Sequence, residues 1–282
     1  MKIHNSSSSL KNALSTFLKD CKTIGFVPTM GALHKGHISL VEQASKENDC
    51  VVVSIFVNPT QFDNPNDLNK YPRTMENDIA LLKNISKNIF VFSPDASDLY
   101  NKNVTSKKYN YLGIEHEMEG KHRDGHFDGV GTVLDLFFRI VKPNNAYFGE
   151  KDFQQLQIVK KLVEIENLPV NIVGCAIVRE ESGLAMSSRN KRLSAEQLEE
   201  ATLIHKTLLK VKKNFDKLSI TKLNQLVEKE FSTHPNLTLE YFEIANTETL
   251  KTSIYKSKKK TYRAFIACFI GGVRLIDNMA LN

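Results

Sequence analysis

Short, almost unbroken apolar runs alternating with stretches of helical periodicity constrain this chain more than any other feature. "TIGFV" (23–27), "CVVVSIFV" (50–57) and "IFVF" (89–92) lack the polar–apolar alternation of a half-exposed strand. They read as strands covered on both faces. Between them, residues 37–48 carry Leu40, Val41 and Ala44 at helical spacing, and residues 75–87 carry Met75, Ile79 and Leu82. Farther on, "TVLDLFFRIV" (132–141) reads as a helix, "AYFG" (146–149) as a short strand and "VNIVGCAIV" (170–178) as another. In "DFQQLQIVKKLVEIEN" (152–167), Phe153, Leu156, Val159, Leu162 and Val163 share one helical face. Strand and helix in strict alternation predict parallel βαβ units, hence a doubly wound, Rossmann-like α/β fold.

The alternation stops near residue 178. Ser194-Ala195-Glu196-Gln197 fits a capping box, a second helix is expected at about 219–232, and strands at 237–245 and 262–270. This predicts a Rossmann-like domain over residues 1–177 and a smaller α+β domain over 178–282.

Composition excludes several classes. No run reaches the ~18–20 apolar residues of a membrane helix, and "MKIHNSSSSLKNALSTF" lacks the apolar core of a secretory leader, so no membrane partner and cytoplasmic residence are expected. Cys21, Cys50, Cys175 and Cys268 form no CxxC pair, and three lie in apolar surroundings, as buried free thiols do. The formal charge of +6 is no nucleic-acid footprint, since "YKSKKK" (255–260) alone supplies four lysines and reads as an exposed turn.

Several segments could carry chemistry. "VPTMGALHKGH" (27–37) delivers a strand to a helix start, with Gly31 and Gly36 admitting close backbone approach and His34 and His37 entering the crevice. Phosphate donors and solvated loop histidines both fit; zinc lacks a third ligand nearby. "NAYFGEKDFQQLQ" (145–157) places Lys151 and Asp152 at another helix start, suited to a phosphate and Mg²⁺ or merely to capping. "REESGLAMSSRNKRLS" (179–194) is either an exposed hinge or a polyphosphate loop built on Ser187, Ser188 and Arg189. Asn58 and Gln61 of "FVNPTQF" end a strand, where their amides could read a small polar substrate. In "HRDGHFDGVGTV" (122–133) the glycines predict a tight loop ahead of a helix at 132–141, and His122 and His126 a solvated or structural role.

HxGH, a Lys-Asp helix start and a Ser-Ser-Arg loop, in that order, resemble the nucleotidyl-transferase superfamily, which includes class I aminoacyl-tRNA synthetases. The strings "PTMGALHKGHISLV", "FVNPTQF", "YPRT", "GHFDGVGTVL", "YFGEKDFQQL" and "GLAMSSRNKRLS" are similar to the pantoate–β-alanine ligase family, from about residue 20 to the terminal "RLIDNM". The resemblance implies condensation of (R)-pantoate with β-alanine through a pantoyl adenylate, with ATP as substrate, Mg²⁺, and a homodimer. It implies an ATP site at Met30, Gly31, Ala32, Leu33, His34, Lys35, Gly36 and His37, with His34 and His37 on phosphate oxygens and His37 as proton donor. The ATP site would continue through Gly149, Glu150, Lys151 and Asp152, the last near Mg²⁺. Val178 would meet the adenine, and Met186, Ser187, Ser188 and Arg189 would close over the phosphates. Gln61 and Gln155 would hold pantoate, Gln61 also serving β-alanine, and the second domain would act as a lid. The catalytic set so implied is His34, His37, Lys151 and Arg189. A plain nucleotidylyltransferase shares HxGH and the Ser/Arg loop, but the two glutamines favour the ligase. Asp124 stands where the family leads one to expect proline, and the glycine pair of "GGVRLIDN" is unusual.

Overall fold

The computed structural model describes residues 2–17, 22–62, 65–86, 88–100 and 103–282; Cys21 lies outside them. Six strands form one parallel sheet: β1 (Ile3–His4), β2 (Ile24–Thr29), β3 (Cys50–Ile55), β4 (Ile89–Phe92), β5 (Asn145–Gly149) and β6 (Asn171–Cys175). Their order across the sheet is β1-β4-β3-β2-β5-β6. The chain leaves the centre in one direction through β2, β3 and β4 and returns in the other through β5 and β6. The switch between β2 and β5 opens a crevice at their carboxyl ends, where doubly wound sheets bind ligands.

The central strands β2, β3 and β4 are almost wholly apolar because successive residues face opposite helix layers. Phe26, Val52 and Phe92 point to the helix His126–Val141. Phe137 of that helix meets Phe26 and Phe92 edge-on, with ring centroids 5.7 and 5.8 Å apart, pairs worth about 0.5–1.5 kcal/mol each beyond burial. Val27, Val51, Val53 and Val91 face the other layer, where Leu40, Val41 and Ala44 of Lys35–Glu47 join Leu82 of Met75–Lys83.

One expectation fails here. The glycines of "DGHFDGVGT" do not make a loop: the helix starts at His126, and only Gly125 lies outside it, as a left-handed N-cap with φ 71°. Gly129 is inside the helix because a Cβ there would lie 2.3 Å from the carbonyl oxygen of Thr60. Close helix–loop packing, not flexibility, explains this glycine.

The C-terminal part has its own hydrophobic cluster, built from the helices Ala195–Asn214 and Ile220–Ser232 on an antiparallel sheet of β7 (Leu237–Asn246), β8 (Tyr262–Ile270) and β9 (Val273–Ala280). The capping box at Ser194 and Gln197 is present in both directions. Gly271 and Gly272, with φ 54° and 72°, form the tight turn from β8 to β9, which accounts for the unusual glycine pair. The lysine tract is the exposed β7–β8 connection, except that Lys256 turns back onto the carbonyls of Phe215 and Leu218 after the long helix. Cys50, Cys175 and Cys268 are buried free thiols. Among the described residues, no helix is long and apolar enough to cross a membrane.

Candidate active site

The loop after β2 is held by a carboxylate that the sequence motifs did not single out. Asp78, buried at the start of the helix Met75–Lys83, accepts the backbone N–H groups of Ala32 and Leu33 at 2.9 and 2.8 Å. Thr74 adds a hydroxyl at 3.1 Å. Ala32 sits at φ 51°, an unfavourable backbone for a residue with a Cβ, and the two bonds to Asp78 hold it there.

His34 caps the next helix: its Nδ1 accepts the Gly36 N–H at 3.2 Å. That bond places the ring proton on Nε2, which is left as a donor toward the crevice. Gly36 has no side chain for a steric reason, since a Cβ would meet the His34 ring at 2.9 Å. One turn on, His37 stacks obliquely on His34, with centroids 4.0 Å apart, and its buried Nδ1 has no hydrogen-bond partner among the described residues. Burial, followed by the cations of Lys151 and Lys191, lowers His34 to about 4. Burial, the neighbouring His34 ring and the same two lysines lower His37 to about 3. Both rings are therefore neutral hydrogen-bond donors near pH 7.

Across the crevice, Gly149 ends β5, and Lys151 and Asp152 follow, Nζ to Oδ1 3.6 Å. Asn278 of β9 fixes their backbone by donating to the carbonyls of Glu150 and Lys151 at 2.9 and 2.8 Å. The third wall is the 176–189 segment. Met186 N–H binds the Val178 carbonyl at 3.0 Å, and Arg179 grips the buried Asp277 of β9 through both terminal nitrogens at 2.6 and 3.1 Å. The Ser188 hydroxyl reaches the Ala32 carbonyl at 3.0 Å, tying the Ser/Arg loop to the HxGH loop. Its proton is thereby used within the protein, and Ser187 Oγ caps the short turn by accepting Arg189 N–H at 3.2 Å.

These walls line one cavity of about 260 Å³, with Met30, His34, Gly36, His37, Gly149, Lys151, Asp152, Val178 and Met186–Arg189, and Gln61 and Gln155 line it too. Five sequence candidates stand outside it. Gly31, Ala32 and Leu33 are buried behind the loop, Lys35 lies in a separate surface groove with Arg179 and Glu180, and the Glu150 carboxylate pairs with Arg263 at 2.9 Å.

Gln61 rests on Met30 Sδ at 3.0 Å and accepts from Asn58 at 3.2 Å. Asn58 also lines the cavity, but it is buried, donates to Gly129 O at 3.1 Å and accepts Tyr100 OH at 2.6 Å. The two glutamines after Phe153 divide in the same way. Gln154 is buried and bonded to the backbone of Ile114, Glu117 and Glu119. Gln155 lines the cavity, and its amide makes no hydrogen bond to another described residue. Helical phase distinguishes them, since Gln154 turns inward toward the loop before the helix.

Sequence reasoning also missed the ion pair that ties Glu119, on the cavity wall, to the small sheet. Glu119 binds Arg274 of β9 at 2.7 and 2.8 Å and Tyr241 of β7 at 2.7 Å. Burial alone would raise the Glu119 carboxyl, but the Arg274 guanidinium and then Arg123 bring it to about 2. No group of three or more His, Cys, Asp or Glu side chains able to hold a metal occurs among the described residues.

Comparison with known proteins agrees in both sequence and structure. The family model for pantoate-beta-alanine ligase matches residues 2–280. Pantothenate synthetase of Flavobacterium psychrophilum is 51% identical over 282 residues, all of both chains. That of Christiangramia forsetii is 52% identical over the same length, again all of both. Among solved structures, pantothenate synthetase from Thermus thermophilus superimposes with a TM-score of 0.89 at 36% identity, covering 100% of this chain and 99% of that one. The Francisella tularensis pantoate-beta-alanine ligase, complexed with beta-gamma ATP and beta-alanine, gives 0.82 at 38% identity, with 100% and 98% covered.

Proposed function

The chain belongs to the pantoate–β-alanine ligase family and catalyses the ATP-dependent condensation of (R)-pantoate with β-alanine, and from that premise we propose which residues carry each step. The observation that carries the assignment is the convergence of the HxGH loop, the Lys151 turn, the Ser187–Arg189 loop, Gln61 and Gln155 on one cavity.

In the first step a pantoate carboxylate oxygen attacks the α-phosphorus of ATP. The bond to the β-phosphate bridging oxygen breaks, and pyrophosphate leaves. Negative charge grows on the phosphate oxygens, so placed donors and cations matter more than covalent chemistry. His34 Nε2–H and His37 donate to these oxygens, and Lys151 and Arg189 supply positive potential. Val178 meets the adenine through its N–H, since its carbonyl is taken by Met186. In the second step the β-alanine amine attacks the acyl carbon, the bond to AMP breaks, and the amine loses a proton. Gln61 and Gln155 hold pantoate, and Gln61 then faces β-alanine.

Mg²⁺ enters with ATP as part of the substrate. One half-exposed carboxylate, Asp152, fits an ion that keeps waters and phosphate oxygens as its other ligands. The lid would comprise residues 178–282, closing to exclude water from the acyl adenylate. The homodimer is carried over from the family resemblance. Cytoplasmic residence is supported by the buried free thiols at Cys50, Cys175 and Cys268.

Incubation with Mg-ATP, pantoate and β-alanine tests the reading. AMP release that requires both acids, with pantothenate formed in equal amount, is the expected result. No AMP at saturating substrates would overturn it.

A further inference from the structure

His126 is a buried titratable group on the cavity wall beside Gln61, and the two-step chemistry assigns it nothing. Its Nδ1 lies 2.8 Å from the Gln61 carbonyl oxygen, an acceptor only, so Nδ1 carries the proton and donates. Nε2 is then a lone pair, and Arg123 Nη1 donates to it at 3.1 Å. Both ring nitrogens are used within the protein, and none is left for a substrate. Arg123 is itself held 3.7 Å from Glu119, whose carboxylate is clamped by Arg274 of β9. Burial and then the Arg123 guanidinium lower His126 to about 3, so the ring stays in this neutral form.

The Gln61 carbonyl ends the short turn Pro59–Gln61, whose other anchors are the Asn58 side chain on Gly129 O and the bare face of Gly129 against Thr60. Asn58 fixes the start of the turn, and Gly129 packs against Thr60 and the Gln61 Cα. His126 makes the short bond to the Gln61 carbonyl, while Arg123 Nη2 reaches the same oxygen only at 3.5 Å. The ring therefore holds the carbonyl end of the backbone from which the Gln61 side chain leaves toward Met30 and the cavity, while Asn58 meets the amide itself at Oε1, 3.2 Å away.

We propose that His126 is a positioning residue for the acid substrates: its Nδ1–H bond to the Gln61 carbonyl aims the Gln61 amide, and Arg123 locks the tautomer that makes this bond. The inference rests on the reading of Gln61 as an acid-binding residue.

Amide side chains separate this role from simple packing. Asparagine places an N–H near the position of Nδ1, whereas glutamine places its N–H near that of Nε2. His126→Leu is expected to raise the pantoate KM about tenfold, the loss of one placed hydrogen bond, with the ATP KM changed less than twofold. His126→Asn should restore most of the pantoate KM and His126→Gln should not. Where His126→Leu fails to fold, the contrast between the Asn and Gln variants decides alone. Equal pantoate KM in these two, or ATP and pantoate KM rising together, would overturn the proposal. Gln61→Ala is the separate control. If it leaves the pantoate KM unchanged, the reading of Gln61 has failed; if it raises KM while the His126 variants do not, only the positioning role has failed.

Discussion

The carboxylate of Glu119 and the guanidinium of Arg274 meet in a two-pronged ion pair, 2.7 and 2.8 Å, that joins the segment preceding the helix His126–Val141 to the last strand of the small sheet. Tyr241 and Arg123 complete the shell around Glu119. Glu119 lines the cavity, so the pair ties the cavity wall to the small sheet.

Because the Glu119 carboxyl is held at about 2, below its ordinary 4.5, its contribution is complete above about pH 4.5 and is lost as pH falls toward 2. Glu119→Gln keeps the shape but removes the charge, and Arg274 retains Glu240. A loss of about 3 kcal/mol is expected at pH 7. Urea unfolding at pH 7 and pH 3 should show the gap between wild type and variant shrinking in acid. A gap of the same size at both pH values would mean that the carboxylate charge is not what stabilises this contact.

The His34–His37 pair gives a second pH signature. With folded values of about 4 and 3, the unfolded chain takes up protons first on acidification. The pair therefore makes stability rise with pH between about 4 and 6.5. In the free protein, the imidazole Cε1–H resonances of both rings should stay flat from pH 8 to pH 5, and a midpoint near 6.5 for either would contradict the burial described. His37→Ala should slow pyrophosphate release in a single turnover by roughly 10²–10³, as loss of a donor to developing charge does. A near-normal rate would remove His37 from the adenylation step.

Asp78 makes the HxGH loop rigid without touching the cavity. Asp78→Asn replaces one acceptor with an N–H facing the loop's own N–H groups, which should cost about 1–3 kcal/mol. The ATP KM should rise several-fold while the pantoate KM holds, since the loop carries His34 and His37 but not Gln61. Calorimetry and separate substrate titrations would show this. Unchanged ATP binding with full stability would mean that the loop keeps its shape by other contacts.

The large sheet was legible because covering both faces of a strand forces a nearly unbroken apolar run, which β2, β3 and β4 all write; β6, at the edge, is buried only at Cys175. β1 has two residues and β9 is interrupted by the buried polar pair Asp277 and Asn278, so neither presents such a run. The HxGH, Lys151 and Ser187–Arg189 segments were readable because their residue types are those that anion binding requires. Asp78, Glu119, Arg274 and Asn278 were not, because each acts on a partner about 45 to 155 residues away. The glycines of the 125–131 segment misled for a related reason. Glycine signals a turn when only its backbone freedom is considered, whereas the need at Gly129 is space for the Thr60 carbonyl.

That need yields the most direct test of the proposed acid site's geometry. At Gly129 the obstacle is backbone on the facing turn, with the Thr60 oxygen at 2.3 Å and the Gln61 Cα at 2.8 Å from an added methyl, so no side chain can swing aside. Gly129→Ala must push the Pro59–Gln61 turn away from the helix, breaking the Asn58 bond to the Gly129 carbonyl. Helix propensity favours alanine by up to about 1 kcal/mol, but overpacking of this kind costs about 1–3 kcal/mol, and the lost hydrogen bond adds to it. A net loss of about 2 kcal/mol and a pantoate KM raised at least tenfold are expected, with ATP binding intact because the HxGH loop lies on another element. A variant as stable as wild type with an unaltered pantoate KM would show that the turn can retreat without carrying Gln61, and that the helix does not set the acid site.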